Sequence, residues 1–200
     1  MARKAIIPIA QPLLPKTPEI LPYLERIDEK RFYSNFGPLN TELETRISEK
    51  LGSGINSVTT VSSATAGLTA TLISLISNHS REKETSNLVC LLPAWTFVAT
   101  FHAVVSAGLE PFLLDVDRET WKTTPDIARR ALSQIDGDPF AIIPVSPFGR
   151  TVDSGEWRNF REETGIEVVI DSAAGFDSLT VDYIPRVVSF HATKILAAGE

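Results

Sequence analysis

Apolar positions along this chain change their period several times, and each change predicts an element. In residues 18–30, Leu21, Leu24 and Ile27 recur every three residues, which predicts a helix with one apolar face. Prolines at 8, 12 and 15 make residues 1–17 an extended arm. Asn35-Phe36-Gly37-Pro38 is turn chemistry. Thr41 and Glu44 have the spacing of a capping box, whose helix Gly52 would close. Residues 58–61 read as a short β run, and residues 64–76 as a helix that puts Leu68, Leu72, Leu75 and Ile76 on a core face. Residues 78–87 are polar and read as a loop, with the solvated run Arg81-Glu82-Lys83-Glu84 inside it. Residues 88–92 are apolar without a break, as in a strand covered on both faces.

The alternation continues to the end. A helix over 96–107 is stopped by Gly108, and a strand follows at 111–114. Thr124-Pro125 supplies an N-cap and a first-turn proline for a helix ending near Gln134. A strand at 140–145, a helix at 155–164, a strand at 168–170 running into Asp171, and a strand at 187–190 complete the series. Strand and helix in this order predict an α/β fold, a mostly parallel sheet with helices on both faces. Residues 1–34 form an arm and first helix, and residues 35–200 the sheet domain. Glu200 follows the last predicted strand too closely for another packed element, so the fold is expected to be partial.

Composition narrows the classes. The formal net charge of −6 argues against a nucleic-acid-binding surface and against general affinity for anionic membranes. The first residues are too few and too proline-rich for a signal peptide, and no apolar run is long enough to span a bilayer. A cytoplasmic location is expected. Cys90, a lone cysteine inside an apolar run, reads as a small buried hydrophobe of a reducing compartment.

Ligands of such sheets gather beyond the carboxyl ends of the strands. Four segments fall there: Ser62-Ser63-Ala64-Thr65, Pro93-Ala94-Trp95-Thr96-Phe97, Asp171-Ser172-Ala173-Ala174 and Ser189-Phe190-His191-Ala192-Thr193-Lys194. Ser63 and Thr65 stand where a helix would begin, as an ordinary cap or as a phosphate seat. Asp171 is either a helix cap or a partly desolvated carboxylate that needs a cationic partner. Lys194 is a surface cation, or an amine made nucleophilic by its surroundings. His191 reads as a satisfied ring near a turn, and His79 and His102 have no partner at metal-ligand spacing, so no metal site is expected.

Taken in order, these segments resemble the DegT/DnrJ/EryC1/StrS aminotransferases, pyridoxal-phosphate (PLP) enzymes of the aspartate-aminotransferase fold type. The resemblance rests on Asn-Phe-Gly-Pro-Leu, Val-Ser-Ser-Ala-Thr-Ala-Gly-Leu, Pro-Ala-Trp-Thr-Phe-Val-Ala-Thr, Asp-Val-Asp, Val-Ile-Asp-Ser-Ala-Ala and Ser-Phe-His-Ala-Thr-Lys, between about Asn35 and Glu200. It implies roles for single residues. Lys194 would carry the cofactor and move a proton at the substrate's Cα. Asp171 would pair with the ring nitrogen, Phe97 rather than Trp95 would stack on the ring, and Ala64, Thr65 and Ser189 would cradle the phosphate. It further implies transamination of a nucleotide-linked keto sugar with glutamate as amino donor, in a homodimer of chains about twice this length. Two departures stand out. Ala64 replaces the usual Gly, and Ala174 replaces a Gln or His that would bond the cofactor's phenolic oxygen, a loss of about 0.5–1.5 kcal/mol. The alternatives are a PLP enzyme of this fold with dehydratase or eliminase chemistry, and a non-catalytic remnant acting as an interaction module.

Overall fold

The computed structural model describes residues 11–54, 57–79, 87–179 and 182–199. The first ten residues of the expected arm and the charged run at 81–84 lie outside them.

The central layer is a four-stranded parallel sheet of order β2-β1-β3-β4, made of β1 (Leu88–Pro93), β2 (Glu110–Leu114), β3 (Asp138–Ile142) and β4 (Glu167–Val168). A two-stranded parallel sheet, β5 (Ile170–Asp171) with β6 (Arg186–Val187), continues it through a bridge between Val145 and Asp171. The helices are α1 (Thr17–Lys30), α2 (Pro38–Leu51), α3 (Ala64–Asn78), α4 (Val98–Ser106), α5 (Pro125–Ala131) and α6 (Ser154–Thr164).

Alternate strand residues build two cores. Leu88, Cys90 and Leu92 of β1 meet Leu68 and Leu72 of α3 and Ala103 and Val104 of α4. Leu91 and Ile142 point the other way, to Ala128 of α5 and Trp157 and Phe160 of α6. The unbroken apolar run of β1 follows from this, since a strand covered on both faces has no side for polar residues. Every residue of β1 is buried. Cys90 is fully buried, and desolvation pushes its thiol far above the ordinary range, so it behaves as an apolar filler.

Several expectations need correction. Residues 58–61 form no strand: among the described residues they make no ladder pairing, and side chains of α2 take up Thr60 instead. The predicted strand at 187–190 shrinks to Arg186–Val187, because only those residues pair with β5. The strand at 140–145 ends at Ile142 where its pairing with β1 ends. The capping box fails too. Pro38 opens α2 one turn earlier with Gly37 as N-cap, so Thr41 lies inside the helix. Glu44 accepts bonds from the Thr60 amide at 2.7 Å and its hydroxyl at 2.9 Å rather than capping its own helix. The apolar face expected on α1 exists, but no residue of that helix is buried.

Candidate functional site

The carboxyl ends of β1, β3 and β5 lie on one rim of the sheet, and the rim is built around Asp171. The strand runs through Val169 and Ile170, both fully buried, so its last residue is carried into the protein interior. Neighbouring backbone holds Asp171 on both sides: its amide donates to the Pro144 carbonyl at 2.9 Å, its carbonyl accepts from the Ser146 amide at 2.8 Å, and the amide of Ser172 donates to Val187 at 2.8 Å. The side chain is equally constrained. Oδ2 accepts from the Thr100 hydroxyl at 2.8 Å, and Oδ1 from the Ala173 amide at 3.0 Å. Thr100 is in turn 2.7 Å from the Thr96 hydroxyl. A chain of hydroxyls thus runs from the segment after β1 to the carboxylate.

Only 6% of Asp171 is exposed. Burial pushes its carboxyl above the ordinary range, while the bonds from Ala173 and Thr100 and the positive charge of Lys194 act in the opposite direction. Lys194 is therefore near enough for its charge to favour the ionised acid. It is half-buried, in a loop whose backbone bonds are its own: Lys194 to His191 at 2.8 Å, Ala198 to Phe190 at 2.8 Å and Ala192 to Gly199 at 3.1 Å.

The other predicted positions fall in two groups. Ser63 caps α3 by accepting from the Ala66 amide at 3.2 Å, which leaves the amides of Ala64 and Thr65 as first-turn donors without an intrahelical acceptor. Ala64 and Ser189 line one cavity of about 790 Å³, between the start of α3 and the segment after β6. The Ser189 hydroxyl accepts from the His191 amide at 3.2 Å. Phe97, the N-cap residue of α4, exposes 77% of its surface, and Ala174 is half-buried beside the carboxylate segment. Thr65, Phe97, Asp171 and Lys194 do not line that cavity, so the set divides into a helix-start end and an acid–amine end.

The donor set suits PLP. Helix-start amides with a hydroxyl match a phosphate, a buried acid matches a ring cation, and an open aromatic face and an amine complete the set. Among the described residues no group of His, Cys, Asp and Glu could hold a metal. Among them, too, no helix is long and apolar enough to cross a membrane.

Two features escaped the sequence reading. Thr100 carries the bond to Asp171. Its only signal was a hydroxyl on the helix face that also presents Ala103 and Val104, all three fully buried. The second is an ion pair between Asp182 and Arg186 at 3.1 Å, with both side chains under a tenth exposed. Burial pushes the Asp182 carboxyl up, but bonds from Ser154, Ile184 and Arg186 outweigh it and hold it below the ordinary range.

Comparison with known proteins shows the family and the fold. Residues 16–200 match the model of the DegT/DnrJ/EryC1/StrS aminotransferase family. The chain is 30% identical over 171 residues to the dTDP-4-amino-4,6-dideoxy-D-glucose transaminase of Escherichia coli, covering 85% of this chain and 42% of that protein. Among solved structures, a Bacillus cereus ATCC 10987 protein assigned as a PLP-dependent aminotransferase superposes with TM-score 0.82 at 28% identity, over 97% of this chain and 52% of its own. DesI, solved in the presence of its TDP-sugar product, superposes with TM-score 0.71 at 28% identity, over 92% of this chain and 45% of its own. The chain thus spans about half the length of the curated relatives it matches.

Proposed function

The chain belongs to the DegT/DnrJ/EryC1/StrS aminotransferase family, and from that premise we propose that it carries the cofactor-binding half of a PLP-dependent sugar aminotransferase. The observation that supports this most is the buried Asp171 carboxyl at the sheet rim, under the charge of Lys194. A buried carboxylate is costly unless a cation meets it, and a protonated ring nitrogen is such a cation. When bound, PLP supplies an electron sink for the carbon that carries the amine.

The chain's own residues do the rest. The first-turn amides of Ala64 and Thr65, the positive end of α3 and the Ser189 hydroxyl would hold the phosphate. Thr100 and the Ala173 amide aim Asp171, which would keep a proton on the ring nitrogen. Phe97 would cover one face of the ring. The Lys194 amine would hold the cofactor and would be the group that moves a proton at the substrate's Cα. The substrate class is a nucleotide-linked keto sugar and the amino donor glutamate. The working unit is a homodimer in which residues 35–200 supply part of the large domain.

Chemical trapping tests this directly. The chain is incubated with PLP, reduced with borohydride and digested. The expected result is a pyridoxyl mass on the peptide carrying Lys194, absent after Lys194→Ala. A label spread over surface lysines, or none, overturns the reading. Adding glutamate to the PLP-loaded protein then separates transamination, which converts the cofactor to its amine form, from elimination chemistry, which does not.

A further inference from the structure

Three large aromatic side chains stand together on the same rim and have no part in the site above. Trp95 follows β1, Trp121 lies between β2 and α5, and Phe148 follows β3. Their rings form a ladder: Trp95 and Trp121 are 5.9 Å apart at 70°, and Trp121 and Phe148 are 5.8 Å apart at 66°. They remain open, with 53%, 45% and 75% of their surfaces exposed. Edge-to-face rings leave corners in which one flat group stacks on one ring and touches the edge of the next.

The supports of this ladder are rigid. Trp121 and Phe148 both adopt left-handed backbone, with φ of 60° and 51°, a conformation bulky residues keep only where the surroundings impose it. At Trp121 the surroundings are a closed turn: Asp117 donates to the Lys122 carbonyl at 2.8 Å, and Trp121 donates back to Asp117 at 2.7 Å. At Phe148 they are the next residue, Gly149, where an added Cβ would lie 2.6 Å from the Ala174 carbonyl, and the Ser178 hydroxyl bonded to Gly149 at 3.1 Å. The Lys122 ammonium ties the two loops together through the Thr151 carbonyl at 3.1 Å. Lys122 adjoins Trp121 in sequence, beside the acids Asp115, Asp117 and Glu119 of the same loop, and the exposed Arg150 follows Phe148 by two residues, so each of the two loops carries a cation.

The shelf adjoins the acid. Trp95 precedes Thr96, which joins Thr100 and through it Asp171, and Phe148 follows Ser146, whose amide bonds the Asp171 carbonyl. We infer that Trp95, Trp121 and Phe148 form a stacking shelf for the base of a nucleoside diphosphate, with Lys122 and Arg150 facing its phosphates. This rests on the nucleotide-sugar reading above, because it is the nucleotide of that substrate which the shelf receives. Base stacking on aromatic rings tolerates any base, so the shelf supplies affinity and position rather than choice of base.

Tryptophan emission provides the test, since the remaining tryptophan, Trp157, is 2% exposed and reports an intact core. The 200-residue chain, without PLP, is titrated with dTDP and separately with inorganic pyrophosphate, exciting at the red edge where the base does not absorb. Saturable quenching by dTDP and not by pyrophosphate is expected. Trp121→Leu and Phe148→Leu should each weaken dTDP binding at least tenfold while the buried emission is kept. Equal quenching by pyrophosphate, no quenching, or unchanged dTDP affinity in both variants overturns the shelf. So does a dimer, seen by sedimentation, whose dissociation alone exposes the rings. The titration needs neither PLP nor Lys194, so a failure to label Lys194 leaves it standing, and its own failure leaves the cofactor assignment untouched.

Discussion

Asp171 is held by a strand bonded on both sides, by two side-chain hydrogen bonds and by near-complete burial. Lys194 lies in a loop that bonds to itself, with Ile195 and Leu196 beside it exposed at 59% and 40%. The loop's packing anchor is Phe190, edge-on to the buried Phe176 at 5.7 Å. A site assembled from one fixed and one loosely held partner has its geometry set by the acid, and the amine is free to reach toward what lies between. Local stability varies in the same way across many proteins, with mobile functional segments drawn from the weakly packed end.

If that contrast is right, substitutions near Asp171 should register in stability and substitutions near Lys194 should not. The largest effect belongs to the core beneath the acid. Trp157→Ala removes a fully buried ring that sits edge-on to Phe160 at 5.4 Å, and should cost about 3–5 kcal/mol in urea denaturation. Thr100→Val keeps the shape but strips Oδ2 of its donor, and should cost about 1–3 kcal/mol. That loss should be greater at neutral than at acid pH, because the bond serves the ionised acid.

Asp171→Asn should go the other way. A carboxyl whose folded value lies above its unfolded one keeps its proton more tightly in the folded state. Stability therefore falls as pH rises from the unfolded value through the folded one. The amide removes this dependence and can still accept from Ala173, so the urea midpoint of the variant should gain on the parent as pH rises above about 4. A difference that stays constant as pH rises would show that burial does not control this acid. The smallest effect is expected for Lys194→Ala, within about 0.5 kcal/mol. A loss above 2 kcal/mol would mean that the lysine loop is part of the core, and the contrast would collapse.

Much of the site could be read along the chain. An apolar run ending on Asp171 announces a buried acid, and Ser63 before an apolar helix announces a cap, as found. Lys194 is different: nothing in its local pattern separates it from a surface lysine, and its place came from resemblance alone. Thr100 was missed because a threonine on a helix face does not reveal that an acid 71 residues later will meet it. The aromatic shelf was missed for the same reason, since its three rings come from three separate connections.

Periodicity, turn residues and apolar runs therefore determined the helices, the buried strands and their alternation, because those depend on neighbours a few residues apart. Pairing was decided only in three dimensions. Residues 58–61 have a strand's composition, yet they pair with no strand among the described residues, and Asn40 and Glu44 of α2 hold Thr60 instead. Backbone pairing and side-chain convergence are both contacts between distant segments. Their energy exists only once the chain has folded them together, so no local pattern can carry it.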